Sequence, residues 1–144
     1  MKKLLPCALA IVLLLTGCLS DVDYSLPDNP IAFETYEFTN PDNQDDGYMA
    51  FEYNGRVYIP YGTLTGRIDG DDVAQCLGYK VQDDEADKNA RIYTLSADSE
   101  NNYLMDYYVN SIMEQPDFWR AIDTVGENIS TPKFIESLEY EYWR

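Results

Sequence analysis

Apolar positions fall into distinct rhythms along the chain. Residues 4–15 form a nearly unbroken apolar run behind Lys2 and Lys3, interrupted only by Pro6 and Cys7. A charged start followed by so short an apolar stretch reads as a signal peptide, because it cannot cross a bilayer as a helix. From Leu19 to Gly47 the rhythm disappears, and Pro27, Pro30 and Pro41 sit among Asp and Asn. That composition suits an extended, self-repelling tether, with Ile31 to Phe38 able to dock as an edge strand.

A period of two returns at Tyr48, where YMAFEY and RVYIPYG flank Asn54-Gly55 and predict a hairpin. Two registers compete. A two-residue loop mixes polar and apolar residues on both faces. A three-residue loop of Tyr53, Asn54 and Gly55 sets Phe51 opposite Val57, Met49 opposite Ile59 and Glu52 opposite Arg56, so one face stays apolar. The second register is the expected one.

Further on, Val73, Cys76 and Leu77 at i, i+3 and i+4 predict a short helix started by Asp71-Asp72 and stopped by Gly78. Residues 79–81 read as a strand, 83–89 as a charged turn and 90–97 as a strand, with 102–109 returning antiparallel. Pro116 to Ile122 and Pro132 to Leu138 read as Pro-led helical turns, the second capped by Thr131. The closing EYEYWR alternates as a last strand would. The expectation is an α+β fold, a small and mainly antiparallel sheet with short helices. It divides into a signal peptide (1–17), an acidic tether (18–47) and a globular domain (48–144).

Charge narrows the function. The 144 residues hold 26 acids, 10 bases and no histidine, a formal net charge of −16. Catalysis through imidazole is excluded, and nucleic acid is a poor partner because its phosphates are bound by neutralising Lys and Arg. Anionic lipid headgroups repel such a chain as well. Thirteen Tyr, five Phe and two Trp supply enough aromatic surface for a core.

Leu15-Thr16-Gly17-Cys18 resembles the lipobox of bacterial lipoproteins. The resemblance implies a diacylglyceryl group on Cys18, cleavage just before it and attachment to the extracytoplasmic face of a cell membrane. An ordinary secretory signal or a short membrane anchor with an incidental cysteine is the alternative. Cleavage at that point leaves 127 of the 144 residues and moves the formal charge from −16 to −18. Attachment then rests on the acyl chains and not on protein charge. Cys7 departs with the signal and Cys18 is acylated, so Cys76 has no disulfide partner and reads as a small buried hydrophobe.

Asn54-Gly55-Arg56, Ile59-Pro60, Leu77-Gly78, Val81 and Ile92-Tyr93-Thr94-Leu95 follow in an order similar to the copper amine oxidase N-terminal-like module of bacterial envelope proteins, over residues 49–96. Tyr61-Gly62 stands where that module has Leu-Arg, and the stretch from Pro60 to Leu77 is longer than in the pattern. The resemblance implies a non-catalytic envelope module without copper.

Candidate chemistry is sparse. Asp42, Gln44, Asp46 and Gly47 match the first positions of a calcium loop, but the twelfth falls on Tyr53, where a bidentate Glu is required, so the segment reads as an Asx-rich turn. Asp69-Gly70-Asp71-Asp72 reads as turn and cap. Asp106 interrupts the aromatic run from Tyr103 to Val109. It is either buried with a raised pKa or, as strand alternation suggests, turned to solvent while Met105 and Tyr107 face inward. The second is expected.

No catalytic residue, metal or cofactor is assigned. Tyr58, Tyr61, Tyr108, Trp119 and Trp143 are the candidate ligand-binding residues, from an aromatic set of which most will be core. The function expected is a lipid-anchored, extracytoplasmic, non-catalytic binding or scaffolding module contacting an envelope polymer or protein. The alternative is a small carboxylate-dependent hydrolase of envelope glycan working through residues such as Asp106, and a third is a plain spacer.

Overall fold

Asn54 and Gly55 take positive φ angles of 51° and 75°, the pair a two-residue type I′ connection requires. They join β3 (Gly47–Tyr53) to β4 (Arg56–Thr63), with Tyr53 opposite Arg56 and Phe51 opposite Tyr58. The three-residue register is therefore corrected to the two-residue one. Its rejection assumed one wet face, and the middle of this hairpin has none: Phe51 and Tyr58 are buried on one side, Ala50 and Ile59 on the other. The computed structural model describes residues 18–109, 115–136 and 138.

The remaining strands are β1 (Ile31–Glu34), β2 (Tyr36–Thr39), β5 (Val73–Gln82), β6 (Glu85–Leu95), β7 (Tyr103–Tyr108) and β8 (Asp117–Ala121). They form one sheet in the order β1-β5-β6-β7-β8-β4-β3-β2, antiparallel except for β1 against β5. The two edge strands are consecutive in sequence, separated by Thr35 alone, whose backbone N–H and hydroxyl both donate to the Val81 carbonyl at 3.0 Å. The sheet is thus curled into a half-barrel whose edges approach each other without sharing a backbone ladder, so β1 and β2 remain its two edges.

Curling makes two cores. Inside lie Phe33, Phe51, Tyr58, Leu77, Ile92, Leu104, Trp119 and Ala121, filling the bore as a small barrel demands. Phe33 of β1 reaches Phe51 of β3 at 5.3 Å between centroids, across the approaching edges. Outside, Tyr61, Tyr93, Tyr103, Met105 and Phe118 are covered by Val22 and Tyr24 from the start of the described chain and by Phe134 and Ile135 near its end.

The α+β expectation is corrected to a mostly β fold, with 3₁₀ turns and no α-helix among the described residues. The helix expected at 73–77 is the start of β5. Bulges between Val73 and Cys76 and between Cys76 and Gly78 break its period of two, so a strand copies helical spacing. Its residues do not share a face, since Leu77 enters the bore and Val73 and Cys76 pack outside. Gly78 is a close approach and not a helix stop: a Cβ there would overlap the Ile31 backbone. The element that the envelope-module resemblance places before Leu77-Gly78 is accordingly a strand.

Asp69 does cap, accepting from the Asp71 N–H, but over a 3₁₀ turn at Gly70–Asp72. The charged turn of 83–89 shrinks to Asp83-Asp84, with Glu85 onward in β6. Asp117–Ala121 is a strand because Phe118 faces outward and Trp119 inward, so both sides are buried and no helical stripe exists. Lys133–Ile135 is a 3₁₀ turn.

The 18–47 stretch is part of the domain rather than a free tether. It supplies β1 and β2, Val22 is buried, and Tyr24 stacks on Tyr107 at 5.6 Å. The signal peptide and the final alternating strand lie outside the described residues.

Candidate functional site

Strand register brings together what sequence distance separates. Ile92 of β6 pairs with Asp106 of β7, Asp106 with Asp117 of β8, and Asp117 with Thr63 of β4, a row along the inner face at one end of the half-barrel. Lys80 of β5, paired with Phe33, projects to the same end. Its ammonium forms an ion pair with the Asp106 carboxylate and lies 5.6 Å from the centroid of the Trp119 ring. The Thr63 hydroxyl donates to Asp117. Pro60 and Phe118 complete a cleft of about 320 Å³ around these groups.

Asp106 is 6% exposed. The solvent-facing expectation is corrected: both faces of β7 are covered, so alternation does not release it to water. Burial raises its pKa above the ordinary carboxylate value; Lys80 opposes that shift, while Asp117 and Asp87 reinforce it. The Trp119 side chain is buried, and its indole N–H has no acceptor among the described residues. Beside this cleft a second depression of about 570 Å³, lined by Gln82, Asp83, Glu85, Asp87 and Tyr108, shares Lys80 with it. The mouth thus gathers Asp83, Glu85, Asp87, Asp106 and Asp117 around Lys80.

The other end of the half-barrel is closed. The Tyr58 hydroxyl donates to the Asn101 carbonyl at 2.6 Å, and burial pushes its pKa up to about 12. Arg56 grips the Asp123 carboxylate at 2.9 and 2.7 Å and the Glu100 and Asn101 carbonyls at 3.0 Å. Ser20 is fastened near that end: its N–H and hydroxyl donate to Asp69 at 3.1 and 2.6 Å, and its carbonyl accepts from Gly70. Exposed Cys18 is therefore two residues from a point anchored just before β5. Lys80 lies seven residues along β5 from its first residue, Val73, roughly 20 Å away at the strand rise.

The sequence-derived aromatic candidates do not converge. Tyr58 is inside at the closed end, Tyr61 is outside against Tyr103 at 5.2 Å, and Trp119 borders the cleft. Tyr108 is 46% exposed at the acidic depression, and Trp143 lies outside the described residues. Lys80, Thr63 and Asp117 escaped sequence reasoning. Each is an ordinary surface residue type, and only long-range register gathers them.

In the calcium-like segment the Asp46 carboxylate accepts from Asn40 at 3.2 Å and from Tyr48. Among the described residues no three Cys, Asp or Glu side chains converge on a metal-binding geometry. Burial raises the Cys76 thiol pKa, which makes it a poor nucleophile. Comparison with family profiles, curated proteins and solved structures yields no match.

Proposed function

We propose that the protein is a lipid-anchored, extracytoplasmic binding module without catalytic activity. In this reading it is held by a diacylglyceryl group on Cys18 and presents the mouth around Lys80 and Asp106 to an envelope polymer or protein. The observation that carries the reading is the placement of Cys18 and the cleft toward opposite ends of β5. The segment after Cys18 is strapped to the domain through Ser20 and Asp69, so the anchor seats the closed end against the bilayer and the cleft faces away. The Leu15-Thr16-Gly17-Cys18 box supports the anchor.

Metabolic labelling with a fatty-acid analogue tests the anchor. Wild-type protein carries label and sediments with membranes, and Cys18→Ala loses both; unlabelled wild-type protein overturns the reading. A photo-crosslinking residue at Asp83 captures polymer or protein in intact cells, and one at Asp71 captures lipid. The reverse pattern overturns the orientation.

Hydrolysis of envelope glycan by carboxylates is the second reading, favoured by Asp106 and Asp117 being cross-strand neighbours in one cleft. Its weakness is Lys80, which stabilises the charged form of Asp106, the carboxyl that burial would otherwise suit to donate a proton.

A further inference from the structure

We propose that the ligand of the mouth is a carbohydrate of neutral or amine-bearing sugar units, held by its hydroxyl groups among Thr63, Lys80, Asp106, Asp117 and Trp119. This deepens the binding-module reading and rests on it. Lys80 can only donate hydrogen bonds, the carboxylates of Asp106 and Asp117 accept, and the Thr63 hydroxyl does both. A row that sets donors beside acceptors on one wall suits ring hydroxyls, which donate and accept at once. Trp119 borders the cleft, so its indole N–H signal reports what enters there. At about 320 Å³ the cleft falls at the lower end of the small-ligand range.

Other ligand classes fit worse. The charge of Lys80 is already matched by Asp106, and Asp83, Glu85, Asp87 and Asp117 surround the pair, so phosphate or an acidic sugar meets repulsion. A bare cation meets the Lys80 ammonium in the middle of the row and leaves its donors unanswered. A peptide that binds by adding a strand needs an unpaired edge, whereas the wall formed by β4, β8 and β7 is paired throughout that row.

The chain has two tryptophans, so ¹⁵N-labelled full-length protein in detergent gives two indole N–H signals, which Trp143→Phe assigns. Trimers of N-acetylglucosamine, glucosamine and galacturonic acid are the probes. The first two shift the Trp119 indole saturably, the acidic trimer does not, and Asp117→Ala weakens the response about tenfold or more while its other signals stay in place. A Trp119 indole unmoved by the neutral and amine trimers, or moved equally by the acidic one, overturns the carbohydrate assignment. If the mouth still crosslinks to envelope material in that case, the binding-module reading survives. Shorter sugars accumulating in the sample support the carbohydrate and overturn the non-catalytic reading beneath it.

Discussion

Gly78 lies so close to Ile31 that any Cβ at position 78 would overlap the Ile31 backbone. This contact is where β1 lies down parallel to β5 and the sheet begins to roll. Backbone cannot give way as a side-chain tip can. Gly78→Ala is therefore expected to lower stability by about 3 kcal/mol, measured by urea unfolding, and to detach β1. Gly66→Ala, at an exposed glycine with nothing within 4 Å, tests only the cost of its φ of 107° and serves as the comparison.

The ion pair of half-buried Lys80 with buried Asp106 makes a signed prediction about pH. Asp106 titrates above its ordinary value of 3.8 in the folded chain, chiefly because of burial. The folded state thus holds this proton more tightly than the unfolded one. The stability this contributes is fully present below that ordinary value and is lost as pH rises through the folded pKa. Stability of the wild type minus that of Asp106→Asn should therefore fall as pH rises from about 4 toward neutrality. Lys80→Met removes the partner that favours the charged form and should extend the fall to higher pH. At pH 7 it should cost about 2 kcal/mol, below the scale for stranding one member of a fully buried pair because Lys80 is partly exposed. Thermal and urea unfolding across pH measure both effects.

Arg56 does more than hold Asp123. It also donates to the Glu100 and Asn101 carbonyls and to the Asn102 side chain at 3.0 Å. Asp123→Ala removes only the exposed ion pair and should cost less than about 1 kcal/mol. Arg56→Met loses the charged bonds to the turn as well and should cost about 2 kcal/mol. Equal losses in urea unfolding would contradict this division.

Asp83 and Asp84 turn β5 into β6 with positive φ at both positions, 52° and 64°, and no glycine. Adjacent carboxylates in left-handed backbone are an expensive way to build a type I′ connection. Asp84→Gly should raise stability by about 1 kcal/mol, read by thermal unfolding.

The two hairpin turns show how far local signals reach. Asn54-Gly55 was legible because its residues themselves favour positive φ, yet the register it produced was misjudged. Alternation of apolar residues assigns faces only when one face is wet. Here Tyr58 and Ile59 are both fully buried, on opposite sides of the same strand. The same assumption sent Asp106 to solvent. Cys76-Leu77-Gly78 misled for another reason, since bulges in β5 imitate the spacing of a helix.

Of the site, Trp119 and Asp106 were visible as an aromatic and a carboxylate out of pattern. Lys80, Thr63 and Asp117 were not, because nothing local distinguishes them from any other surface residue.

What the sequence determined by itself is whatever depends on neighbours along the chain: the exclusion of imidazole chemistry, the charge that disfavours phosphate partners, the Asn54-Gly55 turn and the antiparallel return of 102–109. The tertiary structure alone decided the rolled sheet with its two cores and the cleft at its mouth. Those depend on which strand lies beside which, and that is set by Thr35 carrying the chain from one sheet edge to the other, through contacts between residues far apart in sequence.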